Sequence, residues 1–434
     1  MPKLVKEEMY VKSNAAGNNN KFWEIKLYDD FSVHIRNGRI GGSGEIQKPK
    51  EYGSMEEAES FWDKKTKEKL SPRKGYTKFK GILTESNEVK VTSSNNLADI
   101  ALKQIESSSG SETAKLIKYL SDKNIHNITS ATTITYNADS GLFKTPLGIV
   151  TQEGIDEARI LLGKIAPFVK KASHTDSQFI DYLQEYMRLI PRKIGRKFIP
   201  EEIIPDMNAI QAENQILDSL DASLQKVLSA PVDDGSGKKT EEARIFNVKV
   251  ELLTDTTVFD RISRFYDKTR NRMHTSYNLK PKKVYTVELA HMKEAFDKKG
   301  KHVGNIMELW HGTKTANLLS ILKGGLIIPK SSDGHVTGRM FGDGIYFSDQ
   351  STKSLNYSQG YWSGGSRDNN PFMFLADVAM GKFYVPTGPS HNLPVKGYDS
   401  TFAKARQSGV QNNEMIVYTL DKCNLTYLVE FSAN

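Results

Sequence analysis

The sequence predicts a multidomain α+β protein: a small β-rich domain, then an all-α bundle, then a mixed and mostly antiparallel β domain. Three observations predict this order. Apolar residues alternate with polar ones up to about residue 88, recur at helical spacing from about 92 to 228, and alternate again after 243. We therefore expect domains over residues 1–88, 92–228 and 243–434, and a chain of 434 residues is long enough for three.

The composition is that of a chain with ample material for sizeable cores. Hydrophobic residues make up 38% and charged residues 26%. No apolar run approaches the ~20 residues that span a bilayer, and the N-terminus lacks the apolar stretch of a secretory signal. We therefore expect an intracellular protein with no membrane partner. The single cysteine, Cys423, excludes an intramolecular disulfide and favours a reducing compartment. One cysteine and nine scattered histidines show no metal-site spacing, so we expect no metal.

The N-terminal region combines a hairpin pattern, one helix and a basic stretch. Residues Lys21–Gly42 alternate around a paired-aspartate turn, which predicts two paired strands. Ser54 and Glu57 form a capping box before a predicted helix from about Met55 to Leu70. Between Phe61 and Lys80, eight basic residues and two acids are interleaved with aromatic residues. Two interpretations stay open: nucleic-acid contact, which the net charge of +8 favours, and a lysine-rich helix face in water.

The middle region predicts at least four amphipathic helices, which imply a bundle. Apolar residues recur at helical spacing in four stretches, and Pro191 stops one of them. A polar linker that contains glycine and serine, Ser229–Glu242, separates this region from the next. The apolar positions are Leu97, Ile100, Ala101 and Ile105; Ile155, Leu162 and Ile165; Phe179, Leu183, Tyr186 and Ile190; and Ile210, Ile216, Leu217 and Leu220.

The C-terminal region places polar or aromatic groups at the ends of short apolar strands, where functional residues concentrate. The segment LWHGTK, Leu309–Lys314, puts a histidine and a glycine directly after an apolar pair. A helix is predicted over Thr315–Gly324, since glycine suits a C-terminal cap. Residues Gly338–Ser358 and Asn412–Tyr418 repeat the arrangement, and Glu414 in the latter needs hydrogen-bond donors beside its apolar run. Taken singly, a structural histidine and a glutamate that faces water remain the alternatives.

Together, these segments resemble the catalytic domain of the poly(ADP-ribose) polymerase family, with its histidine–tyrosine–glutamate signature. Leu309–Leu322, Met340–Tyr357 and Asn412–Phe431 match that family's three core motifs almost continuously. The middle region looks like the family's helical regulatory domain, and the N-terminal region is similar to a WGR domain, though more loosely. The segments that carry the regulatory resemblance are Thr145–Ile165, Leu183–Gly195 and Ala209–Asp221. The resemblance covers nearly the whole chain and implies an ADP-ribosyltransferase domain at its C-terminal end.

The resemblance implies a site for NAD, which is consumed as a substrate. His311 would hydrogen-bond a hydroxyl of the adenosine ribose. Gly312, whose missing Cβ permits close approach, would present its backbone to the nicotinamide carboxamide. Ser354 would add a hydroxyl hydrogen bond to the same carboxamide, and Tyr346 and Tyr357 would place their rings against the pyridinium.

Three further positions differ from the family pattern. Thr313 replaces a serine with the hydroxyl kept, and Ser320 replaces a glycine, and both are included in the predicted NAD-binding set. Ile327 stands where many members have an arginine near the adenosine, so it is left out. The loop Pro329–Gly342 is a candidate rim over the donor site, with an ordinary turn as the alternative.

The implied chemistry depends on Glu414. Cleavage of the nicotinamide–ribose bond passes through an oxocarbenium-like state, and a preorganised carboxylate stabilises its positive charge. Glu414 would also orient the attacking acceptor hydroxyl, and its presence favours polymer extension. Lys353 and Tyr346 would line the reaction centre, so the implied catalytic set is His311, Tyr346, Lys353 and Glu414, with no metal.

The resemblance also implies a DNA partner and a regulatory mechanism. The WGR signature appears as Asn37-Gly38-Arg39, without its tryptophan. Arg39 can pair with phosphate as a charged fork, whereas Asn37 can only hydrogen-bond. In the family the helical domain covers the NAD site until DNA binding loosens it, which requires two states of differing affinity for NAD. Asp218 matches a position that faces the donor site, with a solvated helix carboxylate as the alternative.

We therefore predict an NAD-dependent poly(ADP-ribose) polymerase that is activated by DNA breaks. It would transfer ADP-ribose to itself, to other acceptor proteins, to polymer or to DNA, with release of nicotinamide. Two alternatives stay open: an enzyme that transfers one ADP-ribose to protein or to DNA ends, and a catalytically silent DNA-break sensor. We expect a monomer in solution, in the nucleus of a eukaryotic cell or in the cytoplasm or nucleoid of a bacterial one.

Overall fold

The structure is a computed structural model that describes residues 2–14, 19–39, 44–79, 82–83, 97–137, 142–145, 148–192, 199–224, 244, 246–328, 340–360, 368, 370–390 and 392–433. Its backbone divides into two compact units. The first comprises Met1–Asn96, His126–Pro205 and Ile216–Ala243. The second comprises Leu97–Ile125, Asp206–Gln215 and Arg244–Asn434.

The strands and helices alternate irregularly along the chain. The strands are β1 (Leu4–Asn14), β2 (Asn19–Tyr28), β3 (Ser32–Arg39), β4 (Glu45–Ile46), β5 (Lys50–Glu51), β6 (Thr77–Lys78), β7 (Ile82–Leu83), β8 (Thr135–Asn137), β9 (Leu142–Thr145), β10 (Gly148–Val150), β11 (Val248–Leu252), β12 (Leu279–Leu289), β13 (Ile306–Gly312), β14 (Ile345–Phe347), β15 (Phe372–Ala379), β16 (Phe383–Tyr384), β17 (Ser400–Ala403), β18 (Glu414–Val417) and β19 (Cys423–Ala433). The helices are α1 (Met55–Leu70), α2 (Leu97–Gln104), α3 (Ser111–Ala131), α4 (Gln152–Lys170), α5 (Ser177–Leu189), α6 (Pro200–Ile203), α7 (Met207–Leu224), α8 (Thr256–Lys268), α9 (Ala290–Lys298), α10 (Thr315–Gly324) and α11 (Ser351–Gln359).

The first unit begins with an antiparallel sheet in the order β4-β3-β2-β1-β6, and β5 also pairs with β3. The predicted hairpin is confirmed, since β2 and β3 pair in antiparallel register. The predicted helix is confirmed as α1, whose Ala58 and Trp62 pack with Trp23 and Ile25 of the sheet. Ser54 caps it, because its hydroxyl accepts from the third backbone N–H of the helix at 3.2 Å.

The helical part of the first unit contains α4 and α5, whose apolar faces are buried. The predicted stripe of α5 is confirmed, since Phe179, Leu183 and Tyr186 are fully buried. The same region also contains the short strands β8, β9 and β10, which form a sheet in the order β7-β10-β9-β8. The hydrophobic pattern did not predict these strands, because three or four residues are too few to show a period.

The second unit contains two sheets. One is antiparallel in the order β11-β12-β19-β15-β13. The other has the order β14-β18-β17-β16, with β16 and β17 parallel and the remaining pairs antiparallel. This arrangement confirms the predicted mixed and mostly antiparallel β domain. Among the described strands, β13, β14 and β18 carry residues of the three catalytic motifs.

Part of the predicted helical domain packs into the second unit. Ile100 of α2 and Leu116 and Leu120 of α3 belong to one apolar core with Val250 and Leu318. Residues 97–125 therefore group with the C-terminal sheets rather than with α4 and α5. The domain boundaries at 88, 92, 228 and 243 remain a prediction.

Two further features of the second unit bear on function. The predicted helix over Thr315–Gly324 is confirmed as α10, but its C-cap is Gly325, with a φ of 78°, rather than Gly324. Cys423, at the start of β19, is buried, and burial followed by the charge of Asp421 raises the pKa of its thiol to about 12.

Across the described part of the chain, no helix is both long enough and apolar enough to cross a bilayer.

Candidate active site

The candidate site forms where the two sheets of the second unit meet. Trp310, near the end of β13, exchanges backbone hydrogen bonds of 2.9 and 3.0 Å with Ser348, which follows β14. β14 in turn pairs with β18, whose first residue is Glu414. α11 begins directly after this junction, at Ser351. The junction therefore brings the three sequence motifs together at the ends of β13, β14 and β18.

His311 is held through one ring nitrogen. Its Nδ1 lies 2.9 Å from the backbone carbonyl oxygen of Tyr346. A carbonyl can only accept, so Nδ1 carries the proton and Nε2 of the neutral ring is an acceptor. Burial lowers the pKa of His311, which favours this neutral form. The ring also packs against Phe347, with centroids 5.5 Å apart.

Gly312 marks the closest approach of β13 to α11. A Cβ atom at this position would lie 1.7 Å from the backbone carbonyl oxygen of Ser354. The Ser354 hydroxyl donates to the Trp310 carbonyl at 3.1 Å, which fastens the helix to the strand. The space that the missing side chain leaves is thus already occupied by the backbone of α11. The structure therefore requires glycine at 312 for packing, independently of any ligand.

Glu414 and Lys353 form a buried ion pair. Lys353 Nζ donates to Glu414 Oε1 at 2.7 Å and lies 3.4 Å from the backbone carbonyl oxygen of Asn413. The two side chains are only 12% and 9% exposed. Burial lowers the pKa of Lys353, and the carboxylates of Glu414 and Asp349 oppose that shift. Each partner compensates the buried charge of the other, so removing either one leaves an uncompensated charge.

Tyr346 and Tyr357 lie on β14 and α11 respectively. The Tyr346 hydroxyl donates to the Gly342 carbonyl at 2.8 Å and accepts from the Phe341 N–H at 3.0 Å, so the far end of its ring is anchored. Burial, followed by the charge of Glu414, raises the pKa of Tyr357. The Tyr357 hydroxyl therefore stays protonated at neutral pH and can donate a hydrogen bond.

The other predicted NAD-binding positions lie at or on α10. Thr313 directly precedes Lys314, the N-cap, and its hydroxyl accepts from the Asn317 amide at 3.1 Å. The Ser320 hydroxyl is buried and has no hydrogen-bond partner within the part of the chain that the structure describes. Ile327 is 53% exposed. Residues 329–339 of the predicted rim loop lie outside the described residues.

Sequence reasoning missed three polar residues around the ion pair: Asp349, Asn413 and His274. The Asn413 amide donates to Asp349 Oδ2 at 2.8 Å. His274 Nδ1 lies 2.8 Å from Thr352 Oγ1, and burial lowers the pKa of this histidine. Asn413 could have been found from its place directly before the motif glutamate. No sequence pattern signals the His274 contact.

The predicted DNA-binding residues lie on the first unit, near the end of β3. Arg39 is exposed. The side-chain oxygen of Asn37 accepts from the Gln47 amide at 2.7 Å. The side chain of Asp218, on α7, lies outside the described residues.

The basic stretch along α1 divides into two kinds of lysine. Lys64 and Lys67 are exposed. Lys69 instead lies against two rings, with its Nζ 4.9 Å from the centroid of Trp23 and 4.8 Å from that of Tyr76. The stretch is therefore partly a packed surface and partly a charged face that an anionic partner could reach.

Comparison with known proteins gives three family matches along the chain. The poly(ADP-ribose) polymerase catalytic domain matches residues 256–433, the WGR domain matches residues 7–81, and the poly(ADP-ribose) polymerase regulatory domain matches residues 110–228. The matches follow one another without overlap. The catalytic match contains every residue of the candidate site described above.

Curated relatives align over nearly the whole chain. The chain is 26% identical to poly(ADP-ribose) polymerase 1 of Gallus gallus over 96% of its length, which spans 44% of that relative. It is 24% identical to poly(ADP-ribose) polymerase 2-A of Oryza sativa subsp. japonica over 98% of its length and 69% of the relative. It is 25% identical to poly(ADP-ribose) polymerase 2 of Homo sapiens over 99% of its length and 80% of the relative. The chain thus spans less than half of the chicken relative.

Proposed function

Because this chain belongs to the poly(ADP-ribose) polymerase family, as its three domain matches confirm, we propose that it is an NAD-dependent poly(ADP-ribose) polymerase activated by DNA breaks. It transfers ADP-ribose from NAD to proteins, itself included, or to growing polymer, and releases nicotinamide. The observation that carries the proposal is the buried Lys353–Glu414 pair, which holds a carboxylate where the three catalytic motifs meet.

The proposed donor contacts use the hydrogen-bonding groups that the fold leaves available. His311 Nε2 accepts from a hydroxyl of the adenosine ribose, since Nδ1 already donates to Tyr346. Gly312 offers its backbone to the nicotinamide carboxamide. The Ser354 hydroxyl already donates to Trp310, so its lone pairs accept from the carboxamide N–H.

The proposed reaction is a substitution at the ribose C1′ carbon of NAD. The bond from C1′ to the nicotinamide nitrogen breaks, and its electron pair leaves with nicotinamide. The acceptor oxygen forms a new bond to C1′, and the proton of the acceptor hydroxyl is released to water. The carbon passes through an oxocarbenium-like state whose positive charge the Glu414 carboxylate stabilises. Lys353 Nζ donates a hydrogen bond to Oε1 of that carboxylate, so Oε2 accepts a hydrogen bond from a ribose hydroxyl. Tyr346 and Tyr357 hold nicotinamide as the leaving group by stacking.

The test of this mechanism is Glu414→Gln, which keeps the side-chain shape and removes the charge. We expect NAD binding to persist, nicotinamide release to fall by about 100-fold or more, and polymer to disappear from a gel. Glu430→Gln is the matched control, because the Glu430 side chain is 11% exposed, close to the 12% of Glu414, and is paired with a lysine, Lys282, at 3.1 Å. Unchanged polymer elongation by Glu414→Gln would overturn the mechanism.

The WGR and regulatory matches support the DNA-dependent part of the proposal. Its test is incubation with labelled NAD, with and without nicked or blunt-ended DNA. We expect long products that appear only with DNA. Products of a single unit would identify a mono-ADP-ribosyltransferase, and an absence of nicotinamide release in both conditions would identify a silent sensor. We further propose that the protein acts as a monomer inside the cell, in the nucleus of a eukaryote or in the cytoplasm or nucleoid of a bacterium.

A further inference from the structure

Asn413, the residue before the candidate catalytic glutamate, takes part in four hydrogen bonds with other segments. Its Oδ1 accepts from the backbone N–H of Ala405 at 2.9 Å, and its Nδ2 donates to Asp349 Oδ2 at 2.8 Å. Its backbone carbonyl accepts from Ser348 Oγ at 2.9 Å and from Lys353 Nζ at 3.4 Å. These partners belong to the loop after β17, the turn between β14 and α11, and α11 itself. One residue therefore ties together three segments around the ion pair.

The chemistry of position 413 requires a carboxamide. A backbone N–H approaches it from one side and a carboxylate from the other, so the side chain must accept from the first and donate to the second. Asparagine does both in one plane, whereas aspartate can only accept when ionised. An aspartate here would meet the carboxylate of Asp349, and two adjoining carboxylates repel or share a proton.

Asp349 connects this bond to the ion pair. Its Oδ2 accepts from Asn413, while its Oδ1 is buried and has no hydrogen-bond partner among the described residues. Its negative charge favours the charged form of Lys353, whose ammonium group contacts both the Asn413 carbonyl and Glu414. The Asp349–Asn413 pair thus sets both the position and the electrostatic surroundings of the ammonium group that holds Glu414.

We propose that Asp349 and Asn413 are positioning residues for Glu414. Their hydrogen bond holds the Glu414 carboxylate in the place where it acts while the acceptor attacks C1′. The inference rests on the proposed function, in which Glu414 acts on the ribose. A displaced Glu414 slows the transfer step, whereas the donor contacts of His311 and Gly312 stay in place. The turnover number should therefore fall while KM for NAD stays the same.

The experiment exchanges the two polar groups in the chain of residues 1–434. Asn413→Asp should lower kcat for nicotinamide release by about 100-fold, the scale of a 1 Å misplacement, with KM for NAD unchanged. Asp349→Asn should be milder, since an amide oxygen can still accept from Asn413. The double variant Asp349→Asn with Asn413→Asp restores one amide and one carboxylate in contact, so it should recover most of the lost activity. Gln411→Ala, at an exposed position on the same loop, is the control and should match the wild type.

The outcomes separate this inference from the proposed function. An inactive wild-type chain contradicts the proposed function itself. An active wild type with a double variant no better than Asn413→Asp overturns the inference, as does a single variant whose KM rises while kcat holds. Thermal unfolding of every variant is measured in parallel. A midpoint for Asn413→Asp that falls without recovery in the double variant would make the residue structural and overturn the positioning role.

Discussion

The side-chain amide of Asn124 donates to the backbone carbonyl of Ala316 at 3.0 Å, with both groups buried. Asn124 lies on α3, inside the segment that matches the regulatory domain. Ala316 lies in the first turn of α10, directly after the end of β13. Two more α3 side chains, Tyr119 and Lys123, donate hydrogen bonds to the carboxylate of Asp368, a residue in the segment between α11 and β15. α3 therefore contacts the elements that follow β13 and α11, the two elements that pack together at the candidate donor site.

Under the proposed function, replacing Asn124 by leucine should raise nicotinamide release in the absence of DNA. The substitution removes the hydrogen bond from α3 to α10, a loss of about 1 kcal/mol. We call the state in which α3 is bonded to α10 restrained and the state without this contact released, so the ratio of the two falls about fivefold. Nicotinamide release without DNA should therefore rise by up to about fivefold, while the rate with DNA stays the same. Lys118→Ala, at an exposed position on the same helix, is the control. An unchanged rate without DNA would show that this contact does not restrain the site.

Replacing Gly312 by alanine should lower the stability of the second unit even when no ligand is bound. The new Cβ atom would lie 1.7 Å from the Ser354 carbonyl oxygen, so β13 and α11 would have to separate. We expect a loss of about 3 kcal/mol or more in the free energy of unfolding, measured by urea denaturation. Gly324→Ala, on α10, is the control, because the Cβ that alanine adds there would meet no other described part of the chain within 4 Å. Equal stability of the two variants would contradict the packing role of Gly312.

Stability should decrease as the pH falls below about 7, and His274 should account for part of the decrease. Burial, and then the charge of Lys353, lowers the pKa of His274 in the folded chain below the value of about 6.5 of an unfolded histidine. Below pH 6.5 the unfolded state therefore binds the proton first, and stability falls until the pH reaches the folded pKa. His274→Asn, which keeps a group near Nδ1, should flatten the dependence of the unfolding midpoint on pH between 7.5 and 5.5. His302→Asn, at an exposed position, should leave it unchanged.

Arg39 should contribute a phosphate contact to DNA binding. Arg39→Ala should weaken binding to all DNA sequences alike and reduce the slope of log affinity against log salt by about 1. Arg39→Lys keeps the charge and loses the planar fork, so it should keep the slope with a smaller loss of affinity. Fluorescence anisotropy with a nicked duplex at several salt concentrations measures both quantities. An Arg39→Ala variant with the wild-type slope would place the DNA contact elsewhere.

Local signals predicted part of the helices of this protein, whereas α3, α8, α9 and α11 were not assigned from the sequence. Ser54 and Glu57 predicted the start of α1, because a cap depends on a few neighbouring residues. The last residue of α10 was predicted at Gly324, but the glycine with the positive φ that caps the helix is Gly325, one residue later. The grouping of His311 with Tyr346 was expected from motif resemblance. The structure accounts for it through the hydrogen bond from the imidazole to the Tyr346 carbonyl.

Contacts between distant segments were not predictable from one sequence. Asn413 and Asp349 lie 64 residues apart, and His274 and Thr352 lie 78 residues apart. No periodicity relates residues at such separations, since their approach depends on how sheets and helices pack. The requirement for glycine at 312 belongs to the same class, because it arises from the helix that crosses the strand rather than from a turn in the strand.

The buried thiol of Cys423 makes the chain suitable for selective chemical labelling. Cys423 is the single cysteine of the sequence, and with a pKa of about 12 it has almost no reactive thiolate at neutral pH. A cysteine introduced at an exposed position, such as Lys118 on α3, would then be the one site that reacts with a maleimide dye. The dye would then test, by fluorescence, the proposal that DNA acts through α3, in a protein that keeps its native cysteine.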